Sequence, residues 1–126
     1  MRAAIESAKS GVRERLDGLN EELIVLSRRL YENPEVGYEE EAASGWLSDM
    51  LDGAGFAVES GIAGLPTAFR ARFGSGPLNI AFCAEYDALP GIGHACGHNL
   101  IAASSLGAAM AAAKVADDLG VTVTVL

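Results

Sequence analysis

The fold is decided by residues 78–126, which read LNIAFCA (78–84), EYDALPGIGHACGH (85–98), NLIAASSLGAAMAAAKVADDLG (99–120) and VTVTVL (121–126). The first run is almost entirely apolar, as expected for a central strand covered on both faces. The third run is rich in alanine and ends at Gly120, which predicts a buried helix over 99–119. The last run is a strand by composition. This order of strand, loop, helix and strand predicts a right-handed βαβ unit, and hence an α/β fold with a mostly parallel sheet flanked by helices.

Two further helices are predicted upstream of this unit. Apolar residues recur at three- and four-residue steps from Ile5 to Leu30, which is typical of an amphipathic helix that stops before Pro34. Gly11 and Gly18 are candidate interruptions of that helix. A second helix is predicted from about Glu39 to Ala54, and its acidic first turn is expected to be solvated.

Short apolar runs separated by glycine, serine and proline predict two more strands, over Phe56–Glu59 and Thr67–Phe73. The second run alternates and puts Arg70 and Arg72 on one face, so that face is expected to contact solvent. The final run, Val121–Leu126, is expected to leave an open strand edge, which is a surface that other strands can pair with.

Composition limits the classes of protein to consider. A chain of 126 residues, 50% hydrophobic and 21% charged, is expected to form one globular domain. A net charge of −8 argues against a nucleic-acid partner. No signal peptide and no long apolar run is evident, so we expect a cytoplasmic protein without a membrane partner. The two cysteines do not form a disulfide framework, and Cys83 is expected to be an inert core residue.

The loop from Glu85 to His98 concentrates side chains that bind metals. Both histidines of the chain, His94 and His98, lie within five residues together with Cys96. Imidazole and thiolate are the ligands that borderline-soft metals prefer, and the glycine between Cys96 and His98 permits their convergence on one ion. Two ligands are fewer than a catalytic zinc site uses, so His94, Glu85 and Asp87 are candidates for further ligands or for supporting groups.

Three other interpretations fit the same loop. In the first, Cys96 is a small buried hydrophobe and both histidines are hydrogen-bonded loop residues. In the second, Cys96 is a nucleophile with His94 or His98 as its base. In the third, the glycines at 91, 93 and 97 form a dinucleotide-binding turn. The third fits poorly, because six residues separate the strand end from the first glycine, whereas that fingerprint needs a tight turn.

Two stretches of this sequence resemble a known family. LYENPEVGYEE (30–40) and AEYDALP (84–90), the latter followed by GHACGHNLIA (93–102), resemble the aminoacylase- and carboxypeptidase-type family of dinuclear metallopeptidases and amidohydrolases. Asn99 stands where most of the amidohydrolase branch has aspartate. That feature resembles the subgroup that contains p-aminobenzoyl-glutamate hydrolase and dipeptidase-like members.

The resemblance implies that a metal-activated water hydrolyses the amide bond of an N-acyl amino acid, p-aminobenzoyl-glutamate or a dipeptide. The metal would be Zn²⁺ or Mn²⁺, with two ions in the complete site. Cys96 would bridge the two ions, His98 would bind one of them, and Asp87 would be a supporting catalytic residue. Three further residues are expected close to the ligands: Glu85, His94 and Asn99. Glu85 stands where aspartate is commoner.

The resemblance also implies that these 126 residues are the amino-terminal part of a catalytic domain. These residues do not include the family's Glu-Glu pair, its two later histidines or its dimerisation domain. The dimerisation domain of the family implies a homo-oligomer. We therefore expect half a metal site and no catalysis by this chain alone. The alternative is an inactive remnant or an interaction module that associates through the edge of Val121–Leu126.

Overall fold

Three α-helices and four strands make up the fold in the computed structural model, which describes residues 1–126. In chain order they are α1 (Arg2–Glu32), α2 (Glu41–Gly53), β1 (Ala57–Ser60), β2 (Phe69–Phe73), β3 (Leu78–Phe82), α3 (His98–Leu119) and β4 (Val121–Val125), with a short 3₁₀ helix (Ile62–Gly64) between β1 and β2. Every predicted helix and strand is present, with ends shifted by a few residues. The predicted α/β class is confirmed.

The four strands form one mixed sheet in the order β1-β2-β4-β3. Strands β3 and β4 are parallel, with Leu78 opposite Val121 and Phe82 opposite Val125, and α3 makes the predicted crossover between them. The β1–β2 and β2–β4 pairs are antiparallel. The sheet is therefore mixed rather than purely parallel. The first antiparallel pair follows from a connection too short to carry a parallel crossover.

The positions of β3 and β4 in the sheet differ from the sequence-based expectation. Strand β3 lies at the edge, and Leu78 is 61% exposed, so the prediction of a central strand covered on both faces is wrong. Cys83, at its end, is exposed rather than a core residue. Strand β4 is internal, with Val123 and Val125 fully buried, so the expected open edge at Val121–Leu126 is paired on both sides. The open edges belong to β1 and β3.

Helix α1 runs without interruption past both of its candidate break points. A Cβ atom built at Gly11 would lie 4.0 Å from Val115 Cγ1, so that glycine faces α3. Farther along the same interface, Gly107 of α3 lets the helices approach closely, because a Cβ there would lie 2.6 Å from Leu23 Cδ1. Packing against α3 stabilises α1 and outweighs the helix propensity lost at the two glycines.

Helix α3 is the most apolar helix of the chain. By length and composition it could cross a membrane, but half of its most apolar stretch is buried inside the fold. Its buried residues include Leu106 and Met110, which belong to a hydrophobic core of 18 residues. Helix α3 therefore packs as the central helix of that core, with α1 along one side and the sheet against it.

Two predicted solvent-facing groups have different outcomes. Arg70 is half-buried and Arg72 exposed on β2, and Arg70 Nη2 donates a hydrogen bond to Glu59 Oε2 at 2.6 Å, so that strand face is solvated as predicted. Immediately before α2, however, the N-cap residue Glu40 is buried and accepts a hydrogen bond from Thr67 Oγ1 at 2.8 Å. The expectation that this whole acidic turn is solvated is therefore wrong, because Glu40 holds α2 to the segment before β2.

Gly76 fixes the distance between the starts of β3 and β4. A Cβ atom at Gly76 would lie 1.8 Å from the carbonyl oxygen of Gly120, which is backbone and cannot rotate away. The carbonyl of Gly76 also accepts a hydrogen bond from Thr122 Oγ1 at 2.8 Å. Only a residue without a side chain allows this approach.

We predict opposite effects for two Gly→Ala substitutions. Gly76→Ala should lower the free energy of unfolding by about 1–3 kcal/mol, because the methyl group forces the two strand starts apart. Gly45→Ala, in the exposed interior of α2 with nothing within 4 Å, should raise it by about 0.5–1 kcal/mol. Urea unfolding followed by circular dichroism measures both. A Gly76→Ala variant as stable as the wild type would contradict the close approach.

Candidate metal centre

The loop between β3 and α3 lies at the carboxyl edge of the parallel pair. The amide of Ala84 donates to the carbonyl of Leu126 at 2.7 Å, which continues the pairing of the two strands into the loop. Farther on, the amide of Ala88 donates to the carbonyl of Glu35 at 2.7 Å. Leu89 and Gly93 form an isolated antiparallel β-bridge. The loop is therefore held by backbone hydrogen bonds at the edge where open α/β sheets bind their ligands.

Successive side chains at the start of the loop point in alternate directions. Tyr86 Oη donates a hydrogen bond to the carbonyl of Thr67 at 2.6 Å, and burial raises the pKa of this phenol, so it remains a donor. Glu85 and Asp87, on either side of Tyr86, both contact His98 instead. Because the side chains alternate, Tyr86 anchors the loop while Glu85 and Asp87 both contact the imidazole of His98.

His98 is the first residue of α3, and each of its ring nitrogens contacts a carboxylate. Nδ1 lies 2.7 Å from Asp87 Oδ1 and 3.0 Å from the Asp87 carbonyl oxygen, while Nε2 lies 3.1 Å from Glu85 Oε2. The preceding Gly97 has a positive φ of 80°, which starts the helix at this point. A carboxylate that receives Nδ1–H and thereby orients Nε2 is the usual support of a metal-binding histidine. The supporting catalytic role expected for Asp87 stays a prediction.

Cys96 is exposed and makes no hydrogen bond. The interpretation of Cys96 as a buried small hydrophobe is therefore wrong. The structure contains no group of three or more His, Cys, Asp or Glu side chains arranged to hold a metal ion. The convergence of Cys96 and His98 on one ion accordingly stays a prediction. The donor set of this loop, imidazole nitrogen, thiol sulfur and carboxylate oxygen, fits a borderline-soft divalent metal.

The two remaining predicted residues are buried on either side of these donors. His94 is 7% exposed and its Nδ1 has no hydrogen-bond partner. Asn99 donates from Nδ2 to Ser27 Oγ at 3.0 Å and to the Ser27 carbonyl at 3.3 Å, which joins the first turn of α3 to α1. These contacts give Asn99 a structural partner in α1, and the predicted places of both residues close to a metal stay predictions.

Glu35 is a residue of this region that sequence reasoning missed. Its carboxylate accepts hydrogen bonds from the amides of Ala42 and Ala43 at 3.0 and 2.8 Å, which satisfies free donors at the start of α2. Its carbonyl also accepts the bond from Ala88 in the loop. Glu35 therefore joins α2 to the loop. The only signal available was its place in the stretch 30–40 that carries the family resemblance.

Two cavities flank the loop. The larger, of about 520 Å³, is lined by Tyr31, Pro34, Val36, Leu89, Ile92 and His94 among others. The smaller, of about 260 Å³, includes the residues Glu40, Phe69, Glu85, Asp87 and Leu126. The larger cavity is in the size range of small-molecule sites. The smaller cavity is lined in part by Glu85 and Asp87, whose carboxylates contact His98.

Comparison with known proteins identifies relatives by sequence, although no protein-family model matches the chain. It is 44% identical over 119 residues to an Xaa-Arg dipeptidase of Mus musculus, a match that covers 86% of this chain and 27% of the relative. It is 33% identical over 112 residues to a subunit of the p-aminobenzoyl-glutamate hydrolase of Escherichia coli, covering 75% of this chain and 23% of that protein. The chain thus spans about a quarter of the length of these relatives.

A solved structure shows the same fold. A dinuclear metal-binding peptidase of the M20 family from Bacillus subtilis superimposes with a TM-score of 0.76 and 26% sequence identity. The superposition covers 86% of this chain and 35% of the peptidase. The arrangement of helices around the four-stranded sheet therefore recurs in a larger metalloprotein.

The burial of His94 predicts a pH dependence of stability. Burial, and next the neighbouring His98, lower the pKa of His94, while Asp87 and the backbone of Leu30 oppose this shift. In the unfolded chain this imidazole takes up its proton near its ordinary pKa of about 6.5, whereas the folded chain keeps it neutral to lower pH. The unfolded state therefore binds more protons as the pH falls, and the contribution of His94 to stability is lost below about pH 6.5.

His94→Gln should flatten this part of the profile. We expect urea unfolding of the wild-type chain, measured in steps from about pH 7.5 to about pH 5, to show a steeper loss of stability than the variant. Both proteins retain His98 and Asp87, so the two chains differ only at position 94. Parallel curves across this range would contradict the depressed pKa of His94.

Proposed function

Because this chain is related over most of its length to peptidases and amidohydrolases of the M20 family, we propose that it supplies one half of the metal centre of such a hydrolase. The observation that carries the proposal is the contact of Asp87 with His98 Nδ1 at the carboxyl edge of the sheet. It orients the ring so that Nε2 faces away from Asp87 and toward the more exposed Glu85.

Two side chains of the loop are proposed to bind the metal, His98 through Nε2 and Cys96 through its thiolate. Zn²⁺ and Mn²⁺ are the candidate ions. When bound, the metal would lower the pKa of a water molecule and stabilise the oxyanion that forms on the amide carbonyl. Asp87 keeps His98 in the tautomer and orientation that binding requires. The backbone bond from Ala88 to Glu35 holds the loop that carries Asp87.

The substrate is proposed to be an amide that releases an amino acid. The names of the relatives, Xaa-Arg dipeptidase and p-aminobenzoyl-glutamate hydrolase, share an amide as the bond that is cleaved. We therefore propose a dipeptide, p-aminobenzoyl-glutamate or another N-acyl amino acid as the substrate class. The 126 residues provide few of the donors that a two-metal site needs, so we propose hydrolysis for the full-length protein that contains them.

Metal binding by the loop tests the first part of this proposal. We expect the purified chain to bind Zn²⁺, with affinity lost in His98→Ala and reduced by about 10–100-fold in Asp87→Asn. Cys96→Ser should also weaken binding, because a hydroxyl is a poorer zinc ligand than a thiolate. Competition with a chromophoric chelator measures the affinities. Cys83→Ser is the matched control, since Cys83 is also exposed but lies before the loop residues that contact His98.

Amino-acid release tests the second part. The full-length protein is expected to hydrolyse at least one of an arginine-ending dipeptide, p-aminobenzoyl-glutamate and an N-acetylated amino acid when Zn²⁺ or Mn²⁺ is added. Removal of the metal by a chelator should abolish the release, and His98→Ala should not recover it on addition of metal. Hydrolysis that persists unchanged in the presence of chelator would contradict a metal-dependent mechanism.

A further inference from the structure

The contact between Glu85 and His98 has no role in the proposed metal centre as described so far. Glu85 Oε2 lies 3.1 Å from His98 Nε2, the nitrogen that Asp87 leaves available. We infer that Glu85 is itself a metal ligand, which binds the same ion as His98 through its carboxylate. This inference rests on the proposed function and adds a third protein ligand to the proposed pair of Cys96 and His98.

The contact places two possible cation ligands, Glu85 Oε2 and His98 Nε2, next to each other. The carboxylates of Glu85 and Asp87 accept hydrogen bonds and do not donate them when ionised. In the neutral tautomer whose Nδ1–H is directed at Asp87, Nε2 presents a lone pair toward Glu85. A lone pair and a carboxylate oxygen at 3.1 Å repel each other unless a proton or a metal ion lies between them. The inferred metal ion would take this position between the two atoms.

The separation of the two atoms suits a shared ion. Ligand atoms at about 2.0–2.1 Å from a metal lie about 3.4 Å apart at a tetrahedral angle and about 2.9 Å apart at a right angle. The observed distance of 3.1 Å falls between these values. A metal could therefore bind both atoms with little movement of either side chain.

The charges around Glu85 also favour a cation. Two carboxylates, Glu85 and Asp87, flank one imidazole, and neither forms an ion pair with a lysine or arginine. The other ion pairs of the chain join Lys9 to Glu6 and Arg70 to Glu59. An excess of negative charge beside a partly buried imidazole attracts a divalent ion. The side chain of Glu85 is 56% exposed and makes no other hydrogen bond, so it is free to adjust to that ion.

The count of ligands agrees with the chemistry proposed. Cys96 and His98 alone are fewer than the three protein ligands of a catalytic zinc site, which leaves a fourth position for water. Glu85 would add an oxygen donor beside the His98 nitrogen, and Cys96 is the proposed third donor, which the structure does not bring together with these two.

The test compares Zn²⁺ affinity in the wild-type chain and in Glu85→Gln, which keeps the shape of the side chain and removes its charge. We expect the variant to bind Zn²⁺ about tenfold or more weakly, as measured by chelator competition. Co²⁺ provides a second measurement, since loss of a carboxylate ligand changes its visible absorption spectrum. Glu39→Gln is the matched control, because Glu39 is exposed and its side chain makes no hydrogen bond. Circular dichroism confirms that each variant is folded.

The outcomes separate this inference from the proposed function. If the wild-type chain binds no Zn²⁺ or Co²⁺, the proposed metal centre fails and this inference fails with it. If the wild type binds and Glu85→Gln binds equally or more tightly, Glu85 only accepts a hydrogen bond from His98 and competes with the metal for Nε2. That result overturns the inference and leaves the proposed function intact. Weaker binding with an altered Co²⁺ spectrum supports Glu85 as a ligand.

Discussion

The parallel pairing of β3 with β4 is the constraint on which the site depends. Two parallel strands cannot be joined by a tight turn, so the chain leaves β3, forms a long loop and returns through α3. This route places the loop and the first residue of α3 at one edge of the sheet. Asp87 near the start of the loop and His98 at its end can then meet, because the loop leaves β3 and enters α3 at this same edge.

Much of the fold was predictable from local patterns. The βαβ unit follows from an apolar run, an alanine-rich helix closed by Gly120 and a final run of valine and threonine, each of which signals its own element. The order of strands was not predictable in this way. An apolar run is compatible with both an edge and a central strand. The position of β4 between β2 and β3 makes β4 the internal strand and leaves β3 at the edge. The exposure of Cys83 follows from the same fact.

The site was predictable in composition but not in contacts. The crowding of His94, Cys96 and His98 in one loop predicts metal chemistry, and the family resemblance predicts a supporting role for Asp87. The approach of Glu85 to Nε2 depends on the alternation around Tyr86, which anchors the loop by a hydrogen bond to the Thr67 carbonyl. No spacing rule relates Tyr86 to Thr67, since a bond between a side chain and a distant backbone group leaves no pattern in the sequence.

The internal position of β4 also has a consequence for how the chain folds. Strand β4 pairs with β2 and β3, and the loop and α3 separate it from both of them in the sequence. Strands β1 and β2, in contrast, are near neighbours in the sequence. Contacts between distant segments form slowly, because the entropy of closing the chain must be overcome first. Until β4 inserts, the uncharged run VTVTV (121–125), rich in β-branched residues, is exposed to other chains, and such runs are prone to intermolecular β-pairing.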